Sequence, residues 1–196
     1  MSTLVVTAHP DPDSLTHHVA RRLAGSTGAT LAHLAQEGFD PRFTLEDRRV
    51  YLGEGAPAAD VAAEQRRIDA HEHLVLVFPV YWWSMPALLK GWVDRVFIAD
   101  WAFGIDAAGG VVPRLERLSV HLIPVSGTSE RSFERHGYTE SFRTQIERGV
   151  IGYCGARHGV TAFVHDSEAE DRDATARSVE SAVARVAAAL VRSAGG

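Results

Sequence analysis

Residues 74–97 read LVLVFPVYWWSMPALLKGWVDRVF, and this stretch decides the kind of fold the chain can adopt. Residues 74–80 form an unbroken apolar run with no polar alternation. A strand apolar on both faces belongs in the middle of a parallel sheet covered by helices on both sides. Residues 86–97 then carry Leu89, Trp92, Val93, Val96 and Phe97 at helical spacing, which makes one buried stripe. Lys90 and Asp94, four apart on another face, read as a surface ion pair. Between strand and helix stand Tyr81, Trp82 and Trp83. Three large rings in a connecting loop either pack on the sheet as core or offer a surface to something flat.

Outward from this unit, short apolar runs alternate with helix-length segments. Residues 4–8 (LVVTA) read as a strand, and 14–24 as a helix capped by Ser14 or Asp13. Residues 30–34 are a second, weaker strand. Residues 36–56, with Gly38, Pro41, Gly53 and Gly55 and little periodicity, read as a long excursion. Residues 57–71 are helical, with Pro57 near the first turn. After residue 97 a glycine-containing loop runs through Gly110. A strand over 118–125, a helix over 140–153 and a strand over 160–165 follow. An amphipathic helix over 169–193 closes the chain, with Val179, Val183, Val186 and Leu190 on one stripe. Five strands alternating with helices predict an α/β fold: a five-stranded parallel sheet with right-handed crossovers and helices on both faces, a single domain over residues 1–196.

The bulk properties exclude several functions. The chain of 196 residues has 45% hydrophobic and 23% charged residues, an ordinary globular balance. A net charge of −5 argues against general nucleic-acid binding, which demands a basic face. Cys154 is the only cysteine, so neither an internal disulfide nor a cysteine-based metal site is expected. His17 and His18 are adjacent on a helix and His71 and His73 flank a strand start; neither spacing gathers ligands, so no metal site is expected. No run approaches the length needed to insert in a bilayer, and the N-terminus lacks a signal-peptide pattern, so a cytoplasmic location is expected. Lys90 is the sole lysine among twenty basic residues, a bias that suggests a GC-rich, bacterial genome.

In open parallel sheets, ligands bind beyond the C-terminal strand ends near the point where strand order reverses. Three segments follow strands and carry suitable chemistry. The first, His9 to Thr16, opens a helix whose free N–H groups suit an anion, with His9, Ser14 and Thr16 as side-chain donors. Asp11 and Asp13 oppose that reading, and simple helix capping is compatible with it. The second, Pro79, Val80, Tyr81, Trp82 and Trp83, offers backbone polar groups for the edge of a planar heterocycle and rings for its face. The third, Ser126, Gly127 and Thr128, offers hydroxyls and N–H groups to developing negative charge.

Several stretches together resemble the flavodoxin-like NAD(P)H:quinone oxidoreductases, the group that includes mammalian quinone reductase and bacterial modulator-of-drug-activity and potassium-efflux ancillary proteins. They are AHPDPDSLTHHVA, Phe39-Asp40-Pro41, Ala63-Glu64-Gln65, FPVYWWSMPALLKGWVDRVF and Gly152-Tyr153-Cys154-Gly155, in order along nearly the whole chain. The resemblance implies a flavodoxin-like three-layer sandwich and a non-covalent flavin, FMN or FAD, with NAD(P)H as co-substrate. It implies that His9, Ser14, Leu15 and Thr16 hold the phosphate end, that Pro79 to Trp83 lie against the ring, and that Ser126 to Thr128 bond its pyrimidine edge. Asp100 stands where the family often has a glutamate near the flavin. A homodimer with the active site at the subunit interface is implied as well. A tyrosine and a histidine that assist charge relay in the mammalian enzyme match Phe133 and Thr139 here, so His136 and Tyr138 are the nearby substitutes. Two tyrosines lining its quinone pocket match Phe103 and Ile105, which makes the expected pocket more apolar, with Trp82 and Phe103 as walls. The expected activity is ping-pong hydride transfer from NAD(P)H through flavin to a quinone or nitroaromatic acceptor. The alternatives are a flavin- and nucleotide-binding regulatory subunit of a potassium-efflux-type transporter, or a nucleotide-binding α/β protein without redox chemistry.

Overall fold

A computed structural model describes residues 2–192; the last position of the helix expected over 169–193 lies outside them. The chain runs β1 (Thr3–Thr7), α1 (Leu15–Thr27), β2 (Thr30–His33), α2 (Leu45–Tyr51), α3 (Ala59–Asp69), β3 (His73–Pro79) and α4 (Ala87–Val96). It continues with β4 (Phe103–Ile105), β5 (Val111–Pro113), β6 (Ser119–Val125), α5 (Glu130–His136) and α6 (Tyr138–Phe142). A π-helix (Arg143–Gly152), β7 (Arg157–Thr161) and α7 (Arg172–Arg192) complete it. The main sheet is parallel throughout, in the order β2-β1-β3-β6-β7. As the apolar run predicted, β3 lies in the middle with every residue buried.

Strand side chains alternate between faces, so the sheet carries two cores. On one face Leu74, Leu76, Phe78, Val120 and Leu122 pack with Leu89, Trp92 and Val96 of α4 and with Ile146 and Ile151 of the π-helix. On the other, Val75, Val77, Ile123 and Val125 pack with Val19 and Leu23 of α1 and with Val179, Val183, Val186 and Leu190 of α7. Besides α5, which the sequence reading did not anticipate, four stretches differ from it. The 36–56 excursion contains α2, nucleated by a capping box in which Thr44 and Asp47 satisfy each other's N–H groups. The loop after α4 contains the β4–β5 hairpin. The helix expected over 140–153 begins at Tyr138 and widens into the π-helix, where Tyr153 N–H reaches back five residues to Arg148 O at 3.0 Å. The strand expected over 160–165 is laddered at Arg157–Thr161 instead. Beyond it Ala162 and Val164 still donate to Leu122 and Pro124, but Pro124 has no N–H to return.

The excursion and α3 are bound to α4 by contacts that include several groups the resemblance singled out. Arg95, 6% exposed, contacts Asp47 at 3.2 Å, Asp60 at 2.6 Å and the Asp40 carbonyl at 2.7 Å. Gln65 donates to Val96 O at 3.0 Å, and Trp92 Nε1 donates to the buried Glu64 carboxylate at 2.9 Å. Burial raises the Glu64 pKa, while the Trp92 hydrogen bond and Arg67 oppose that rise. Gly91 is required here, since a Cβ would collide with the Pro41 backbone. Lys90 and Asp94 form the expected exposed pair, at 2.6 Å.

Candidate functional site

From β1 the chain moves outward to β2, then crosses to β3 on the other side of β1, so strand order reverses at β1 and β3. The loops leaving β1, β3 and β6 therefore lie side by side at one edge of the sheet, where this class of fold places its ligands. Val80 N–H donates to Val125 O at 2.8 Å, which joins the second and third of them directly.

The loop after β3 is a two-residue turn. Tyr81 and Ser84 exchange N–H···O bonds of 3.1 Å, and between them Trp82 and Trp83 have φ of 48° and 63°. Positive φ at both central positions is a turn that ordinarily selects Asn and Gly, and each non-glycine residue held there costs on the order of 1–3 kcal/mol. Trp82 is 91% exposed, and its N–H and that of Trp83 carry no hydrogen bond within the described residues. Trp83 is stacked on Tyr138, ring centroids 3.8 Å apart and planes within 10°. Phe133 meets both edge-on at 5.8–5.9 Å, and the His136 ring lies 5.5 Å from Tyr138. The aromatic run thus divides: Trp83 packs, Trp82 faces outward, and Tyr81 is about half exposed.

In the loop after β6, Ser126 N–H donates to Val164 O and Thr128 N–H to Ser126 Oγ at 3.0 Å, which leaves the Gly127 N–H as the one of the three without a partner among the described residues. The Thr128 carbonyl is held by the His165 ring at 3.1 Å. The Glu168 carboxylate lies close to Gly127, where a Cβ would come within 3.3 Å of both its oxygens.

In the loop after β1, Ser14 is the cap of α1: its Oγ accepts the His17 N–H at 3.4 Å. Leu15 and Thr16 N–H have no partner within the described residues. Asp11 acts within the loop rather than on a ligand, its carboxylate accepting Asp13 N–H at 2.9 Å. The half-buried His9 accepts Asp11 N–H on Nδ1 at 3.1 Å. Beneath the loop His17 and His33 are stacked, centroids 4.6 Å apart, and burial lowers the pKa of both.

The structure therefore brings together His9, Ser14, Leu15, Thr16, Pro79 to Trp83, Ser126 to Thr128, His136 and Tyr138. Asp100, Phe103 and Ile105 are elsewhere. Asp100 follows the far end of α4, its carbonyl bonded by Arg114 at 2.9 Å, and Arg114 N–H in turn bonds Cys154 O just ahead of β7. Phe103 packs on Tyr153 at 5.2 Å. These residues sit toward the N-terminal ends of β6 and β7, the opposite edge of the sheet from the three loops. Sequence reasoning passed over His33, His165 and Gln145, whose Oε1 accepts the Ser84 hydroxyl at 3.4 Å. Only the strand order could have signalled His33, which lies opposite Thr7 in the β1–β2 register.

A family model described as a flavodoxin-like fold matches residues 1–190. The chain belongs to that flavodoxin-like family. Mouse ribosyldihydronicotinamide dehydrogenase [quinone] is 29% identical over 180 residues, 78% of this chain and 76% of the relative. An uncharacterized NAD(P)H oxidoreductase of Escherichia coli K12, YcaK, is 28% identical over 166 residues, 82% of this chain and 81% of that one. Among solved structures, an NAD(P)H:quinone oxidoreductase from Methanothermobacter marburgensis superposes with a TM-score of 0.83 at 21% identity, covering 94% of both chains. An FMN-dependent NADH-azoreductase from Bacillus anthracis, solved with FMN, gives 0.74 at 17% identity, covering 97% of this chain and 99% of that one. These likenesses place the three-layer sandwich on firm ground. Among the described residues no helix is long and apolar enough to cross a membrane, and no group of three or more ligating side chains could hold a metal.

Proposed function

We propose that the chain is a flavin-dependent NAD(P)H oxidoreductase acting on quinone or nitroaromatic acceptors. The observation that carries this reading is the convergence of unpartnered donors at one sheet edge: Leu15 and Thr16 N–H, Trp82 and Trp83 N–H, and Gly127 N–H, beside an exposed indole on a strained turn. That set fits a flavin nucleotide, FMN or FAD, which has an anionic tail, a ring edge of alternating donors and acceptors, and an aromatic plane. Bound there, a flavin would accept hydride from NAD(P)H and pass it to the acceptor, the two substrates using one site in turn.

The protein's part is to position and to stabilise charge. His9, Ser14 and the α1 N-terminus hold the phosphate end. Pro79, Val80, Tyr81, Trp82 and Trp83 support the ring, while Ser126 and Thr128, bonded to each other, present the Gly127 N–H to its pyrimidine edge. Tyr138, fixed by its stack on Trp83, offers its phenol as a hydrogen-bond donor at the same edge. His136, exposed to solvent beside it, supplies the replacement proton.

A second copy completes the site in this reading. Asp100 and Phe103 cannot reach the three loops of their own chain, so their place beside the flavin, with Phe103 opposite Trp82, is reached across a homodimer interface. The surface suited to it holds an apolar cavity of about 520 Å³ lined by Phe43, Tyr51, Val93, Phe97, Phe103 and Tyr153. Phe43, Tyr51 and Tyr153 around it are 44–48% exposed in the single chain.

The test is a visible spectrum of protein reconstituted with FMN or FAD, followed by initial rates with varied NAD(P)H and acceptor. A bound flavin spectrum with parallel double-reciprocal lines is expected. A protein that stays colourless after reconstitution overturns the reading, and intersecting lines overturn the shared site. Sedimentation should give twice the chain mass.

A further inference from the structure

His17 is a titratable side chain, 2% exposed, for which the proposed mechanism has no use. Its Nε2 lies 3.2 Å from the His9 carbonyl oxygen. A carbonyl only accepts, so Nε2 carries the hydrogen and the ring grips the β1–α1 loop from below. The ring lies nearly flat on His33, the planes 20° apart, and His33 Nδ1 is 2.7 Å from the hydroxyl of Thr7, the last residue of β1. The first residue of the loop's ligand-facing segment is thereby tied through two imidazoles to the sheet itself. Burial keeps both rings neutral near pH 7, so they stack without mutual repulsion, with Arg21, Glu37 and His9 as the charged or titratable groups around them.

The consequence falls on His9. An amide N–H can only donate, so Asp11 N–H, 3.1 Å from His9 Nδ1, makes that nitrogen the acceptor and leaves the hydrogen on Nε2. The Asp11 carbonyl, 3.3 Å from the same Nδ1, is already engaged by Ser14 N–H. Release of the His9 carbonyl would let this residue turn and would misdirect its Nε2–H relative to the Leu15 and Thr16 N–H groups.

We propose that His17 is a positioning residue that holds His9 and the first turn of α1 as a cradle for the phosphate of a flavin nucleotide. The inference rests on the flavin reading and adds to it a residue specific for the phosphate rather than for the ring. The experiment measures dissociation constants for riboflavin, FMN and FAD by flavin fluorescence with wild type, His17→Phe and His17→Gln. Phenylalanine keeps the ring stack and removes the N–H; glutamine keeps an N–H donor. The expected result is a loss of about tenfold in FMN and FAD affinity in H17F, with riboflavin changed less than about twofold and H17Q close to wild type. His17→Leu takes the place of H17F should the latter not fold. Equal weakening of riboflavin and FMN, or unchanged FMN binding, overturns the positioning role while leaving the flavin site standing. A wild-type protein that binds none of the three overturns the functional reading, and this inference with it.

Discussion

Trp82 and Trp92 stand ten residues apart in one strand–turn–helix unit and are opposite cases. Trp92 has no exposed surface, sits in an ordinary helix, and gives its indole N–H to Glu64 at 2.9 Å. Trp82 is 91% exposed, is held at a φ of 48°, and its indole makes no hydrogen bond within the described residues. The same contrast separates their surroundings. Around Trp92 the charges of the buried Arg95 and Asp47 and of the half-exposed Asp60 satisfy one another. Around Trp82 the N–H groups of Trp82, Trp83 and Gly127 have no partner among the described residues. Where every group has a partner the residues maintain the fold; where strain, exposure and open donors coincide, the partner is to be found outside the chain.

The largest effect should come from breaking the satisfied region. Arg95→Met leaves the buried Asp47 carboxylate without its cation, and urea unfolding should show a loss of about 3–5 kcal/mol. A loss under about 1 kcal/mol would show that the Arg95 network is not what binds the excursion to α4.

Acid should act next, on buried histidines across the sheet from Trp92. Burial pushes His121 down to about 4, and its Nδ1 accepts Val160 N–H beside His73. Between the ordinary value of 6.5 and about 4 the unfolded chain takes up a proton that the folded chain refuses. This contribution is therefore fully present above pH 6.5 and is lost as the pH falls to about 4, at about 1.4 kcal/mol per pH unit. His73, His17 and His33 are shifted in the same direction and add to the slope. Denaturation midpoints across that range should decline in the wild type and decline less in His121→Gln; identical slopes would remove His121 from the account.

The exposed region should respond with the opposite sign. Trp82→Gly relieves the turn and should raise the unfolding free energy by about 1 kcal/mol, while flavin or acceptor binding weakens about tenfold or more. A variant that loses both stability and binding would mean that Trp82 belongs with Trp92 after all. The smallest effect is expected at Lys90→Ala, where the exposed pair with Asp94 contributes less than about 0.5 kcal/mol.

The sequence was readable wherever one chemistry repeated with one period. The continuous apolar run at 74–80 could only be a central strand, and Leu89, Trp92, Val93 and Val96 could only be the inner face of a helix. The Ser14 cap was visible as a residue type in position. The short β4 and β5 strands and the seven-residue α2 were hidden because each depends on a partner distant in sequence. At Ala162 and Val164 the apolar pattern was correct, but Pro124 on the neighbouring strand interrupts the ladder and leaves only the isolated bridge between Val125 and Val164 there among the described residues.

By itself, then, the sequence determined which segments bury which faces, because hydrophobic periodicity is a local property of the chain. It also set out the three strand-end loops and their chemistry. Tertiary structure alone decided that Trp83 stacks on Tyr138 while Trp82 stays open, that the Gly127 N–H has no partner among the described residues, and that His17 rests on His33 beneath His9. It also separated Asp100 from the loops it had been grouped with. Such pairings are fixed by strand order and by the closing of hydrogen bonds across the sheet, and neither is written in any one stretch of residues.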